Sequence, residues 1–166
     1  MRVLSGSARG VPLKTVPDFG TRPILDRIKK SLFSILDSSG LLLDAAVADL
    51  YAGAGTQGIE ALSRGAARCV FVEQRADAVA LLRENLAKTR LADRAEVRCG
   101  TVERVLRELL AAPARFDLVL HDPPFAFSRE DRSRAALEAE LALAGQQLPP
   151  GHGTLVLRME KKAAPP

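Results

Sequence analysis

Residues 47–65 read VADLYAGAGTQGIEALSRG. The segment VADLY (47–51) has the β-prone apolar character of a buried strand, Gly53 and Gly55 punctuate it, and TQGIEALSRG (56–65) continues as a helix. A strand that passes through glycines into a helix is the first half of a βαβ unit. The rest of the chain repeats the alternation: strand CVFVE (69–73), helix ADAVALLRENLAKT, strand AEVRC (95–99), helix VERVLRELLA, strand FDLVL (116–120), helix SRAALEAELALAGQQ, and strand GTLVLRM (153–159). Strands separated by helices specify an α/β fold with a doubly wound, mainly parallel sheet. Upstream, RPILDRIKKSLFSILDSS reads as a helix with Ile24, Ile28, Leu32, Ile35 and Leu36 on one face and Thr21 as a cap before Pro23. RVLSGSARGVPLKTV precedes it as a small hairpin or extended arm. The expected organisation is a basic arm or hairpin over 1–20 and an α/β domain over 21–166, one globular unit overall.

At 166 residues and 47% hydrophobic composition, the chain is long enough to bury a core as a single domain. No run approaches the ~20 apolar residues of a membrane span, and the N-terminus lacks the apolar core of a signal peptide. A soluble, cytoplasmic protein is expected, with no membrane partner. Cys69 and Cys99 are the only cysteines, each read as a small residue in or beside a buried strand. With only His121 and His152 beside them, no metal-ligand cluster is expected. Charge is uneven: residues 1–30 hold seven basic side chains against two acids, a net +5, while the remaining 136 residues carry 17 basic and 18 acidic groups, a net −1. A short basic segment on a balanced domain suits contact with a polyanion, although a solvated basic flank would look the same.

Gly53, Gly55 and Gly58 satisfy GxGxxG, a pattern whose first reading is dinucleotide binding. Glu73 ends the next strand, placed to accept hydrogen bonds from ribose hydroxyls. Asp49 lies four residues before Gly53, where it would repel a pyrophosphate but welcome the sulfonium and ammonium of S-adenosylmethionine. It could equally cap the amide groups of the glycine-rich turn.

After FDLVL comes HDPPFAF (121–127), where two prolines stop the strand and hold Asp122 at its carboxyl end. A nucleobase amine is a poor nucleophile because its lone pair is delocalised into the ring. Acceptors that pull on its hydrogens favour attack: Asp122 offers a carboxylate, the Pro123 carbonyl a second acceptor, Pro124 the rigid turn, and Phe125 a face for an unstacked base. Phe127 and Arg129 read equally well as pocket or packing residues, and pairs such as Glu103 with Arg107 as solvated helix contacts.

These motifs resemble class I S-adenosylmethionine-dependent methyltransferases of Rossmann-like fold with a DPPY-type motif, and within them the RsmD family, which methylates the exocyclic N2 of a guanine in bacterial 16S ribosomal RNA. The resemblance rests on GSARG (6–10), TRPILDRIKKSLFSIL (21–36), DLYAGAGTQGIEALSRGA (49–66), FVE (71–73) and DPPF (122–125). It implies that Asp49, Gly53, Gly55, Gly58 and Glu73 line the cofactor site. It further implies Asp122, Pro123, Pro124 and Phe125 at the target amine, with 16S RNA or the assembling small subunit bound by Arg9, Lys14, Arg22, Arg27, Lys29 and Lys30. A monomer is expected. Thr101 stands where the family carries an acid that bonds the adenine amino group, and His121 where an apolar residue is usual; His121 is read as strand-end packing over a proton shuttle. The resemblance implies a further antiparallel strand pair after 153–159, where this sequence ends at RMEKKAAPP. The expectation is either a naturally short member or a missing end, with 153–159 then a sheet edge guarded by Glu160, Lys161 and Lys162. An adenine-N6 methyltransferase and a non-catalytic RNA-binding relative remain the alternatives.

Overall fold

The computed structural model describes residues 1–15, 26–111, 115–124 and 131–159. Five strands, β1 (Ala46–Leu50), β2 (Arg68–Glu73), β3 (Ala95–Cys99), β4 (Leu118–His121) and β5 (Thr154–Leu157), form one sheet in the order β3-β2-β1-β4-β5. Every pairing is parallel. The order reverses between β1 and β4, and the carboxyl ends of these two central strands carry the glycine loop and the DPP turn. That is the switch point at which open α/β sheets bind ligands.

Because strand side chains alternate, each strand serves two cores. Val47, Phe71, Leu118 and Leu120 face α1 (Asp26–Ser38), α2 (Thr56–Ser63) and α3 (Ala76–Thr89) through Phe33, Ile59, Leu62, Leu82 and Leu86. Ala48, Leu50, Val70, Val72 and Val119 face α4 (Val102–Leu110) and α5 (Asp131–Gln146) through Val105, Leu106, Leu109 and Leu143. The expected doubly wound architecture is present. β5 ends the strand order and its residues are only partly buried. No helix among the described residues is long and apolar enough to cross a membrane.

Two readings change. In α1 the buried stripe is Lys29, Phe33 and Leu36, while Ile28 and Ile35 are 48% and 63% exposed. Thr21, Ile24 and the rest of 16–25 lie outside the described residues. Several apolar rows fit this helix, and the row that faces α2 was decided by what α2 offers, a buried carboxylate at Glu60. Cys99, expected in a buried strand, is exposed because β3 is a sheet edge; Cys69 in β2 is buried.

The N-terminal segment, expected as a small hairpin or extended arm, is a closed hairpin docked on the domain and contributes Val3, Ala8 and Leu13 to the core. Arg2 and Pro12 form an antiparallel bridge, and the backbone bonds of Val3 to Val11 and Gly10 to Val3 close the loop. Glu60 of α2 holds the hairpin: its carboxylate accepts from the Leu4 and Ser5 amides at 2.8 and 3.1 Å. The same carboxylate takes Arg64 Nε at 2.8 Å and has Lys29 Nζ at 3.5 Å. Ser63 adds a hydroxyl that accepts from the Ala8 amide and donates to the Ser5 carbonyl. A charge removed from water costs several kcal/mol unless it is paired and hydrogen-bonded, and Glu60 meets that condition with hydrogen bonds from Leu4, Ser5 and Arg64 and the Lys29 ion pair.

Candidate functional site

The first turn of α2 begins directly after the glycine loop. Gly53 and Gly55 have φ of 54° and 79°, the left-handed region that residues with a Cβ rarely enter. Gly58 is needed for contact: a Cβ there would lie 2.3 Å from the Phe71 ring, so its absence lets α2 lie against β2. Nothing lies within 4 Å of where a Gly53 side chain would start, so the loop has open space beside it.

Two carboxylates hold this loop from below and from the side. Asp49 is buried, and its Oδ2 accepts from the Gly58 amide at 2.8 Å. The N-cap residue, Gly55, has no side chain to offer, so Asp49 satisfies one of the helix's first amides and places negative charge at its positive end. Burial pushes the Asp49 carboxyl up to about 7, opposed by the Gly58 hydrogen bond and reinforced by the charges of Asp122 and Glu73. Glu73 is half-buried at the end of β2; its Oε2 accepts from the Gly53 amide at 2.9 Å and its Oε1 from the Arg75 amide at 2.8 Å. Each oxygen keeps a second lone pair for another donor.

Asp122 stands across this space at the carboxyl end of β4, with its amide near the Leu50 carbonyl of β1. Its Oδ2 accepts from Gln57 Nε2, in the first turn of α2, at 2.7 Å. Its Oδ1 accepts from Arg158 Nε, just past the end of β5. The Asp122 carboxyl is held above the usual range by burial, against the opposing pull of the Arg158 charge and hydrogen bond, His121 and Gln57. Pro123 is buried and Pro124 half-buried beside it, and Phe125, Phe127 and Arg129 lie outside the described residues.

His121 points to the opposite face of the sheet. It is buried, with Nε2 3.2 Å from Glu140 Oε2 of α5 and its ring edge-on to Tyr51 at 5.4 Å. Neither ring nitrogen makes an aligned hydrogen bond among the described residues. The Tyr51 hydroxyl donates to the Glu140 carboxylate at 2.9 Å, and burial, then the Glu140 charge, raises its pKa. Tyr51 also has a left-handed backbone, φ 63°, an unfavourable conformation for a bulky residue that its side-chain anchorage holds in place.

The remaining expected residues fall into place unevenly. Thr101 is exposed and acts as the N-cap of α4, its Oγ1 accepting from the Arg104 amide. Arg9, Arg27 and Lys30 are exposed, as is Lys14, which pairs with Glu84 at 2.5 Å. Arg22 lies outside the described residues. Lys29, expected among the RNA-facing cations, is fully buried, with Nζ donating to the Arg2 carbonyl at 3.1 Å beside Glu60. It is a structural cation and cannot reach a phosphate from there. Gln57, Arg158, Tyr51 and Glu140 were not singled out by sequence reasoning. Gln57 sits inside the quoted glycine motif, and Arg158 directly after the strand beside β4, where the strand-end rule pointed.

The family described as Conserved hypothetical protein 95 matches residues 1–158. Ribosomal RNA small subunit methyltransferase D of Haemophilus influenzae is 32% identical over 82% of this chain and 70% of its own length. The protein of that name from Escherichia coli K12 is 31% identical over 75% of this chain and 60% of its own length. Among solved structures, the hypothetical protein TTHA0928 of Thermus thermophilus superposes with a TM-score of 0.85 at 37% identity, covering 100% of this chain and 90% of that one. With its five-stranded parallel sheet, glycine loop and DPP turn, the chain belongs to the RsmD family of ribosomal RNA methyltransferases.

Proposed function

We propose that the chain transfers a methyl group from S-adenosylmethionine to the exocyclic N2 amine of a guanine in 16S ribosomal RNA, acting as a cytoplasmic monomer on the RNA or the assembling small subunit. The observation that carries this reading is Asp122. It is a carboxylate fixed by two prolines and two side-chain donors at the switch point, facing the glycine loop. The names of the relatives support ribosomal RNA of the small subunit over an adenine amine in DNA.

The donor set suits S-adenosylmethionine. Asp49, Glu73 and Asp122 gather three carboxylates around the open space beside Gly53, which favours a cationic ligand and disfavours a pyrophosphate. When bound, S-adenosylmethionine supplies a methyl group on an electrophilic sulfonium. Glu73 would take the ribose hydroxyls on its remaining lone pairs, and Asp49, bonded to Gly58 beneath the loop, would contribute its field from below. Thr101, exposed at the end of β3, would border the adenine. Asp122 and the Pro123 carbonyl would accept the two hydrogens of the target amine and favour a tetrahedral nitrogen, with Asp122 available to take the released proton. Phe125 would stack on the unstacked base. Arg9, Lys14, Arg27 and Lys30 would meet RNA phosphates, together with Arg22.

The test is Asp122→Ala, assayed for methyl transfer to 16S RNA with the product nucleoside identified by mass spectrometry. Removing a preorganised acceptor costs ~10²-fold or more in rate. S-adenosylmethionine binding, by calorimetry, should persist. Transfer at the wild-type rate, or N6-methyladenosine as the product, refutes the reading.

A further inference from the structure

Among the described residues, Asp122 has two side-chain donors brought from distant parts of the chain, one neutral and one charged. Gln57 Nε2 takes Oδ2 at 2.7 Å from α2, and Arg158 Nε takes Oδ1 from the segment after β5. The two oxygens are thus gripped separately, which fixes both the plane and the direction of the carboxylate. Arg158 is itself well anchored, since its amide donates to the His121 carbonyl at 3.0 Å and continues the pairing of His121 with Leu157. Its side chain is 25% exposed and that of Asp122 13%, so the pair lies in the wall of the site with water limited on both sides.

We infer that Arg158 is a positioning residue for methyl transfer, holding the Asp122 carboxylate as a charged and oriented acceptor for the target amine. This rests on the role proposed above for Asp122. The surroundings explain why a cation is needed there. From β1 and β2 come the carboxylates of Asp49 and Glu73, which disfavour further negative charge at this end of the sheet. Among the described residues, α2 brings the neutral amide of Gln57, and β4 brings His121, whose ring is turned towards Glu140 of α5. Burial alone already drives Asp122 towards its neutral form, and the charge of Arg158 is the largest influence opposing it. A neutral carboxyl would present a hydroxyl in place of one lone pair and could not draw on the amine's hydrogens.

The experiment compares the wild-type chain with Arg158→Met, Arg158→Lys and Asp122→Ala. Single-turnover transfer of a labelled methyl group to 16S RNA is followed from pH 6 to pH 9, and S-adenosylmethionine affinity is measured by calorimetry. Arg158→Met should lose about tenfold or more in rate at pH 6, because an opposite charge at contact distance changes a carboxyl's ionisation by that order. The loss should shrink as pH rises to 9, with cofactor affinity within about twofold of wild type. Arg158→Lys, which keeps the charge and loses the fork, should keep the wild-type pH profile at a lower rate. An Arg158→Met loss that is the same at every pH, or no loss at pH 6 while Asp122→Ala is inactive, overturns the role of Arg158 alone. Wild-type transfer by Asp122→Ala overturns the reading of Asp122 and this inference with it.

Discussion

Asp49→Asn tests whether the carboxylate beneath the glycine loop is retained for charge at a cost in stability. Asparagine keeps an oxygen for the Gly58 amide and removes the buried ionisation. Burial moves the Asp49 carboxyl from its ordinary 3.8 to about 7 in the folded protein. Between those values the folded state holds the proton and the unfolded state has released it, so the folded state binds more protons. Stability therefore falls as pH rises from about 4 to about 7, and is level above that. At 1.36 kcal/mol per pH unit the interval amounts to about 4 kcal/mol, an upper figure. The asparagine amide hydrogens need a partner of their own, which costs about 1 to 3 kcal/mol if none is found. The variant's stability relative to wild type should therefore climb by about 2 to 4 kcal/mol between pH 4 and pH 8. Urea denaturation at a series of pH values reads this directly. Calorimetry at pH 8 should show weaker S-adenosylmethionine binding, because one negative charge beneath the site is gone. A stability difference that does not change with pH, or one that moves against the variant as pH rises, would refute the reasoning.

Glu60→Ala removes the acceptor for the Leu4 and Ser5 amides and the carboxylate that lies beside the buried Lys29 ammonium. It should cost about 3 to 5 kcal/mol and deprotect the amides of residues 3–13 in hydrogen exchange, and a loss under about 1 kcal/mol would contradict the network. Neutralising Arg9, Lys14 and Lys30 together should flatten the salt dependence of RNA binding by roughly one unit for each phosphate that is no longer neutralised, with cofactor affinity unchanged. Neutralising Lys29 should instead lower stability, since its ammonium is fully buried.

The sequence by itself determined the elements, their order and the end of the sheet that matters. β-prone runs, glycines and prolines act over a few residues, and their alternation admits few topologies, so α3 runs from Ala76 to Thr89 as the pattern requires. That Asp49, Glu73 and Asp122 lie at the carboxyl end of the sheet was legible because each stands at or near a strand's end beside a loop whose conformation its own residues dictate. The tertiary structure alone decided which donors meet those acids and which basic residues face water. Asp122 meets Arg158 across 36 positions because β4 and β5 are paired in register, and Tyr51 meets Glu140 across 89 because α5 packs over β1 and β4. Lys29 reads in sequence as one of several cations on a basic helix. It is buried because Glu60, on a different helix, lies where the two pack, and a buried charge is tolerated only where the fold brings it a partner.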